Sequence, residues 1–302
     1  MIIHPGLNYL ILIFLAFPFL VSVTSAEKTK ISIEEIREKN KIIIPPPKRD
    51  VPGKKFSLSL GNLYIPDFFK EEATTSTEVV LFFHGAPWCA EQNFYDAGKN
   101  AVLVSISVKD YSTTFKDSEK LSQILNETTT TLSRENITSK PIGKICLASF
   151  SGGYPAIYEI LKNKKFENLI TDVVLADSLY APRLKGTTNE IDPEAMKPFL
   201  DFARLAASGK RTFLFSHLYP PVEEYRTNTT TLTASYLIDH LNAKRQEAHS
   251  QNSRGAKLLY RADLGNFHIL GYEGMYNQDH FEHFYSICDL FRETSLTPAK
   301  KD

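Results

Sequence analysis

The chain has 302 residues, 42% of them hydrophobic, and its 35 Lys and Arg residues balance 35 Asp and Glu residues. This length and composition fit one large α/β domain or two small ones, with enough apolar side chains for a sizeable core. A dominant nucleic-acid or membrane-surface role would normally leave a basic excess or stripe, and the sequence has neither. We therefore expect no nucleic-acid partner, and no membrane contact beyond the N-terminal segment.

The N-terminal segment is almost wholly apolar over residues 7–23 and continues into three small residues that end at Ala26 and suit signal peptidase. We predict a secretory signal peptide over residues 1–26, cleaved after Ala26, and hence a secreted protein. The alternative is an uncleaved membrane anchor, since 17 apolar residues could just span a bilayer and no Lys or Arg precedes them. Pro18 inside the apolar run favours the signal peptide.

The signal peptide is followed by a segment, residues 27–52, that is charged at first and then rich in proline. This composition predicts a leader that either straps onto the folded domain or stays mobile. We place the folded domain at residues 53–296 and a short C-terminal tail at residues 297–302.

Short apolar runs alternate with segments of helical spacing along this domain. The runs that predict strands lie at 79–83, 101–108, 144–148, 172–176, 211–215, 257–260 and 267–272, after an alternating segment at 54–66 that predicts an antiparallel hairpin at a sheet edge. The predicted helices lie at 90–98, 119–133, 154–161, 193–208, 231–246 and 281–291. This order predicts an α/β fold with a mostly parallel sheet flanked by helices on both faces. Ligands of such sheets bind at the carboxyl ends of the strands.

A serine between small residues joins the strand at 144–148 to the helix at 154–161. Residues 149–153 read Ser-Phe-Ser-Gly-Gly. A serine at the tip of such a turn has a strained backbone and an exposed hydroxyl, so the residues two positions away, Ser149 and Gly153, must be small. Here the chain resembles the α/β-hydrolase superfamily over residues 55–295, with Ser149 in place of the first glycine of its G-x-S-x-G nucleophile elbow.

The resemblance implies that Ser151 is a nucleophile and that an acid and then a histidine follow it along the chain. Asp177 fits the acid, because it ends the buried strand after the elbow helix; Glu223 and Glu224, beyond the next strand, are the alternatives. The base is predicted to be His280, which follows the last strand. The alternative bases are His268, within that strand, and His283, one helical turn past His280.

An oxyanion intermediate needs two hydrogen-bond donors. The N–H of Gly152 is one candidate, and the resemblance of His84-Gly85-Ala86 to the family's His-Gly loop makes the N–H of Ala86 the other. His84 itself is expected to be structural rather than basic. Trp88 is predicted to line the substrate pocket. Residues 216–231, with Tyr219 as a substrate contact, form either a substrate-binding lip or an ordinary surface loop.

The cysteines and sequons bear on the secretory pathway. Cys146 lies in the apolar strand before the elbow and is predicted to be a buried free thiol, which leaves Cys89 and Cys288 as candidates for a disulfide. Three Asn-X-Thr sequons lie in polar, Thr-rich segments, at Asn126, Asn136 and Asn228. They suit a glycoprotein.

Together with the predicted signal peptide, the resemblance implies a secreted serine hydrolase that cleaves a small-molecule or polymer ester through an acyl-enzyme. A peptidase or amidase on the same triad, or a non-catalytic binding protein with this fold, is the alternative. The sequence contains no HExxH, CxxC pair, GxGxxG or P-loop signature, so we expect neither a metal nor a cofactor.

Overall fold

A computed structural model describes Glu35 and residues 38–300. In this part of the chain one sheet contains all ten named strands: β1 (Gly53–Leu58), β2 (Gly61–Pro66), β3 (Thr77–Phe83), β4 (Val102–Ile106), β5 (Ile142–Phe150), β6 (Ile170–Ala176), β7 (Thr212–Tyr219), β8 (Arg245–Glu247), β9 (Leu258–Leu264) and β10 (Phe267–Glu273). The strands lie side by side in the order β1-β2-β4-β3-β5-β6-β7-β10-β9-β8.

The centre of the sheet is parallel and both of its edges are antiparallel. Strands β4, β3, β5, β6, β7 and β10 pair in parallel. The hairpin of β1 and β2 closes one edge, and β9 with β8 closes the other. The predicted fold class, a mostly parallel sheet with an edge hairpin, is confirmed.

Helices cover both faces of the sheet. They are α1 (Pro87–Ala97), α2 (Tyr111–Lys116), α3 (Ser118–Arg134), α4 (Tyr154–Lys162), α5 (Pro193–Ala207), α6 (Thr229–His240), α7 (Asn277–Tyr285) and α8 (Ile287–Glu293). Successive residues of β3 point to opposite faces: Phe83 packs in the core beneath α2 to α6, and Phe82 packs in the core beneath α1, α7 and α8. Both phenylalanines are almost completely buried. This two-sided burial explains the continuous apolar runs in the sequence.

Several predicted elements have different bounds in the structure. The strand predicted at 211–215 continues to Tyr219, because Ser216 and His217 find buried polar partners. The helix predicted at 231–246 ends at His240, and the last two residues of that predicted range belong to β8. The closing helix predicted at 281–291 is two helices, which meet at Ser286.

The described part of the leader straps onto the domain. The side chain of Asn40 accepts a hydrogen bond from the Asn277 N–H (2.8 Å), and the Ile44 N–H donates to Oε1 of Gln278 (2.6 Å). Asn277 and Gln278 are the first two residues of α7, so the leader is held against the start of that helix. The predicted signal peptide at residues 1–26 lies outside the described residues.

The described cysteines are all buried and free. The prediction for Cys146 is therefore confirmed, whereas the disulfide considered between Cys89 and Cys288 is absent from the structure. Asn93 contacts both residues instead: its amide nitrogen lies 3.6 Å from Sγ of Cys89, and its Oδ1 accepts the Cys288 N–H at 3.1 Å. Within the described ranges, no helix has the length and apolarity needed to cross a bilayer.

Candidate active site

The predicted nucleophile turn follows β5. Residues Ser151–Gly153 form one turn of 3-10 helix between β5 and α4, and Ser151 has a left-handed backbone with φ of 48°. A Cβ on Gly153 would lie 2.2 Å from the carbonyl oxygen of Phe83 and 3.0 Å from Cβ of Ser149. The turn therefore admits only glycine at 153, and it leaves room for no more than a small side chain at 149.

Residues with strained backbone conformations follow the carboxyl ends of three neighbouring strands. His84 after β3, Ser151 after β5 and Asp177 after β6 have φ values of 69°, 48° and 37°. Such conformations cost about 1–3 kcal/mol each for residues other than glycine and cluster at functional sites. The three residues lie at the edge of the sheet where parallel α/β folds bind ligands.

Asp177 is completely buried and forms a short contact with His280. The Nδ1–H of His280 donates to Oδ2 of Asp177 at 2.6 Å. The other carboxylate oxygen, Oδ1, accepts the Leu218 N–H at 3.1 Å. The Tyr180 hydroxyl donates to Oδ2 at 3.4 Å. These donors fix the carboxylate, and the carboxylate in turn fixes which His280 nitrogen carries a proton.

The electrostatics of this pair favour an ionised acid. Burial alone would raise the pKa of the Asp177 carboxyl, but the hydrogen bond from His280 and the fields of His283 and His280 outweigh it and hold the pKa well below its usual range. Burial and the charge of Asp177 raise the pKa of Tyr180 well above its usual value, so its hydroxyl stays a donor. The ionised carboxylate can stabilise a positive charge on His280.

His280 lies in the first turn of α7, and two further contacts set its position. Its ring stacks on Phe150, the residue before Ser151, with 4.6 Å between ring centroids and an interplanar angle of 28°. The preceding residue, Asp279, accepts hydrogen bonds from the N–H groups of Met275 and Tyr276 at 2.8 and 2.9 Å. The loop before α7 is thereby closed, and the imidazole is held between Phe150 and the acid.

Ser151 and His280 line one cavity of about 380 Å³. The same cavity is lined by His84, Gly85 and Ala86 of the loop after β3, and by Trp88. Among the described residues, no hydrogen bond joins the Ser151 hydroxyl to His280. Catalytic hydrogen bonds are often long in unliganded sites and tighten only when substrate binds.

The loop after β3 faces the nucleophile turn, where an oxyanion would form. A Cβ on Gly152 would lie 4.0 Å from Nε2 of His84, with nothing nearer, so the backbone of Gly152 borders open space. Ala86 precedes α1, and within the described part of the chain its N–H donates to no acceptor. The ring of His84 stacks on Phe150 at 6.2 Å.

The structure separates the alternative bases from Ser151. His268 pairs with Leu214 near the start of β7, about 17 Å along the strand from the carboxyl edge, and its Nδ1 donates to Oδ1 of Asp263 at 2.6 Å. His283 is buried, and its Nδ1 lies 2.9 Å from Oγ of Ser216. Neither lines the cavity that contains Ser151. Of the three histidines considered as the base, only His280 lines that cavity.

The remaining alternatives neither contact His280 nor line the cavity that contains Ser151. Glu223 and Glu224 are exposed in a short 3-10 turn, and the described contacts of His280 include neither. Tyr219 does not line the cavity, contrary to its predicted role. Its ring packs at 4.9 Å from that of Tyr260 and lies under the guanidinium of Arg226 at 4.3 Å. In the described ranges, no group of three or more His, Cys, Asp or Glu residues is arranged to hold a metal ion.

Four residues of the site have contacts that the sequence did not indicate. Phe150 is the variable residue before the nucleophile, and only the fold brings it onto His280. Tyr180 and Ser178 were visible as the polar end of β6, yet nothing in their spacing indicated a partner. Asp279 offered the one usable signal, because an acidic residue in the first turn of a helix is typical of a capping residue.

Solved structures of esterases and lipases are similar to this chain at low sequence identity. An esterase of Pyrobaculum calidifontis is 12% identical over 85% of this chain and 88% of its own, with a TM-score of 0.43. Carboxyl esterase 2 from the fungus Tuber melanosporum is 12% identical over 80% and 87%, with a TM-score of 0.42. A hormone-sensitive lipase from a metagenome library is 10% identical over 85% and 90%, with a TM-score of 0.44.

No protein-family model matches the chain, and no curated protein matches its sequence. The structural likenesses are remote, so the activity of the protein is inferred from the residues of the site. The chain has an α/β-hydrolase fold: a mostly parallel sheet, helices on both faces and a tight turn between β5 and α4.

Proposed function

We propose that this protein is a serine hydrolase that cleaves an ester through Ser151, His280 and Asp177. The observation that carries the proposal is the 2.6 Å hydrogen bond between His280 and the buried Asp177, beside a cavity that Ser151 also lines. A histidine oriented by a carboxylate is the arrangement that activates a serine alcohol, which is a poor nucleophile on its own.

The proposed reaction starts with proton transfer from Ser151 to Nε2 of His280. The Nδ1–H is committed to Asp177, so Nε2 is the nitrogen left to accept a proton. The Ser151 oxygen attacks the ester carbonyl, and the oxyanion accepts hydrogen bonds from the N–H groups of Ala86 and Gly152. His280 then protonates the leaving alcohol.

Water completes the cycle by hydrolysing the acyl-serine. His280 removes a proton from the water, and the carboxylic acid leaves as the serine oxygen regains its proton. Asp177 stays ionised throughout, because its pKa is held low, and it stabilises the imidazolium in both half-reactions.

The test is hydrolysis of p-nitrophenyl butyrate by the parent protein and by Ser151→Ala, His280→Ala and His268→Ala. We expect the first two changes to lower kcat by about 10³-fold or more. His268→Ala, the matched histidine at the far edge of the sheet, should keep the parent kcat. Equal loss with His268→Ala, or full activity of Ser151→Ala, would contradict the proposal.

We also propose that the chain is secreted and glycosylated. The apolar segment at residues 7–23 and the exposed side chains of Asn126 and Asn136 support this. Asn228 is only half exposed, and its Oδ1 caps α6 by accepting the Thr231 N–H at 3.0 Å. Expression in a eukaryotic host should give secreted protein whose mass falls on glycan removal; retention inside the cell would contradict secretion, and an unchanged mass would contradict glycosylation.

A further inference from the structure

The walls of the Ser151 cavity are largely aromatic. Five aromatic side chains line it: Trp88, Phe150, Phe281, Phe284 and Tyr285. Three of them project from α7, and Phe150 lies directly beside the nucleophile. In the described part of the chain, no Asp, Glu, Lys or Arg lines this cavity.

We infer that the substrate is a small, neutral ester that carries an aromatic ring, and that the ring packs in this cavity. The inference deepens the proposed function and rests on it. Aromatic side chains bind ring systems through offset-stacked and edge-on contacts. The volume of about 380 Å³ is near the lower end of small-molecule sites, so the cavity suits a compact ester rather than a long acyl chain.

Charged acyl groups fit this cavity poorly. A carboxylate placed among these rings would lose its hydration and find no cationic side chain in return. A cationic group could contact the faces of the rings, but His280 lines the same cavity and becomes positively charged during the proposed reaction. Repulsion between the two cations would then raise the barrier.

The charge preference is tested with three p-nitrophenyl esters that share a leaving group: the phenylacetate, the hemisuccinate and the 4-(trimethylammonio)butyrate. We expect kcat/KM for the phenylacetate to exceed that for each charged ester by about tenfold or more. Equal or higher kcat/KM for either charged ester overturns the inference. No hydrolysis of any ester, with no labelling by a fluorophosphonate, would instead contradict the proposed function itself.

Variants of Trp88 locate the ring. Trp88→Ala should lower kcat/KM for the phenylacetate by about tenfold, while Trp88→Phe keeps most of it, because an aromatic face remains. Tyr225→Ala is the control, since Tyr225 is an exposed aromatic in the 3-10 turn after β7 and does not line the cavity. Unchanged kcat/KM in folded Trp88→Ala would overturn the assignment of this cavity.

A second inference comes from two buried hydroxyls behind the nucleophile. Oγ of Ser178 donates to the carbonyl oxygen of Ser151 at 2.7 Å, and Oγ of Ser149 lies 2.8 Å from Oγ of Ser178. A carbonyl oxygen can only accept a hydrogen bond, so the Ser178 hydroxyl donates its single proton to the Ser151 carbonyl. Ser178 must then accept a hydrogen bond from the Ser149 hydroxyl. Both hydroxyls are completely buried.

This chain of hydrogen bonds ties the nucleophile turn to the loop that carries the acid. Ser178 directly follows Asp177, and the Ser151 carbonyl belongs to the strained turn with φ of 48°. We propose that Ser149 and Ser178 are positioning residues, which hold Ser151 in register with Asp177 and His280. This proposal also rests on the proposed function.

The test compares Ser178→Ala and Ser149→Ala with Ser105→Ala. Ser105 is the matched control: it is a buried serine of β4 whose hydroxyl has no hydrogen-bond partner in the described structure. We expect Ser178→Ala to lower kcat by about 10- to 100-fold with KM unchanged, since small displacements of reacting groups are costly. Ser149→Ala should show a smaller loss of kcat, and Ser105→Ala none.

The concentration of active enzyme is determined by active-site titration, and kcat is measured well below the melting temperature. A loss of folded protein is then not mistaken for a loss of kcat. A parent-like kcat in both variants, with only a lower melting temperature, overturns the positioning role. If Ser178→Ala does not fold, the kcat of Ser149→Ala alone tests the positioning role. This variant removes the hydrogen bond to Oγ of Ser178 and keeps the one to the Ser151 carbonyl, and a parent-like kcat in it overturns the positioning role. A parent protein that cannot be titrated at all contradicts the proposed function instead.

Discussion

Replacing Asp177 with asparagine should move the imidazole proton of His280 from Nδ1 to Nε2. In the native site, Oδ1 of Asp177 accepts the Leu218 N–H at 3.1 Å, and Oδ2 accepts the His280 Nδ1–H at 2.6 Å. An asparagine has only one acceptor, and its oxygen must stay toward the fixed Leu218 N–H to avoid an unpaired donor. Its NH₂ group then faces Nδ1 of His280 and donates to it. The imidazole proton moves to Nε2, which can no longer accept a proton from Ser151.

The size of the effect follows from losing both the correct tautomer and the charge beside the imidazolium. We expect Asp177→Asn to lower kcat by about 10⁴-fold, which corresponds to about 5.5 kcal/mol of transition-state stabilisation. KM should change little, because Asp177 is completely buried and does not line the Ser151 cavity. The assay is the initial rate of p-nitrophenyl butyrate hydrolysis at neutral pH.

Glu223→Gln and Glu224→Gln are the matched controls. Both residues were alternative candidates for the catalytic acid in the sequence, and both are exposed. They should keep the parent kcat. The reasoning is refuted if Asp177→Asn stays within about tenfold of the parent while either glutamine variant loses activity.

Two further predictions concern stability. Gly153→Ala should lower the free energy of unfolding, measured in urea, by about 3 kcal/mol, because its Cβ would lie 2.2 Å from the Phe83 carbonyl oxygen. The control Gly152→Ala, whose Cβ would have its nearest neighbour at 4.0 Å, should change this free energy by no more than about 0.5 kcal/mol. Equal losses in the two variants would refute the packing argument. Burial lowers the pKa of His217 and of His283 from 6.5 to about 4. Between these two pKa values the unfolded chain binds more protons than the folded protein, so the free energy of unfolding falls as the pH falls. The expected loss is about 2–3 kcal/mol per histidine at about pH 4.5. Urea midpoints that do not change from neutral pH to about pH 4.5 would contradict this.

The fold was predictable where burial is two-sided. The apolar runs of β3 and β6 end in His84 and Asp177, and the sequence therefore indicated both the parallel sheet and its functional edge. Bounds were less predictable where a partner distant in sequence decides them. His217 extends β7 because its Nε2 pairs with the hydroxyl of Tyr260 at 2.6 Å, and no local pattern contains that partner.

The candidate site was predictable in its residue types and less so in its pairings. Alternation along β10 indicated that His268 points to one face of the sheet, but not how far it lies from the carboxyl ends of the strands. Only the register with β7 shows that His268 lies near the amino ends of the strands. The role of Phe150 could not be predicted either, because its contact with His280 joins residues 150 and 280 across the fold. The contacts of Tyr219 could not be predicted for the same reason: its neighbours Arg226 and Tyr260 are set by tertiary packing.

The most direct test of the central claim is to identify the residue that a fluorophosphonate modifies. The intact protein should gain the mass of one phosphonyl group, and peptide mapping should place that group on Ser151. Labelling should disappear in Ser151→Ala and slow strongly in His280→Ala, while His268→Ala labels like the parent. An adduct on another serine, or no adduct on well-folded parent protein, would contradict the proposal that Ser151 is the nucleophile of a hydrolase.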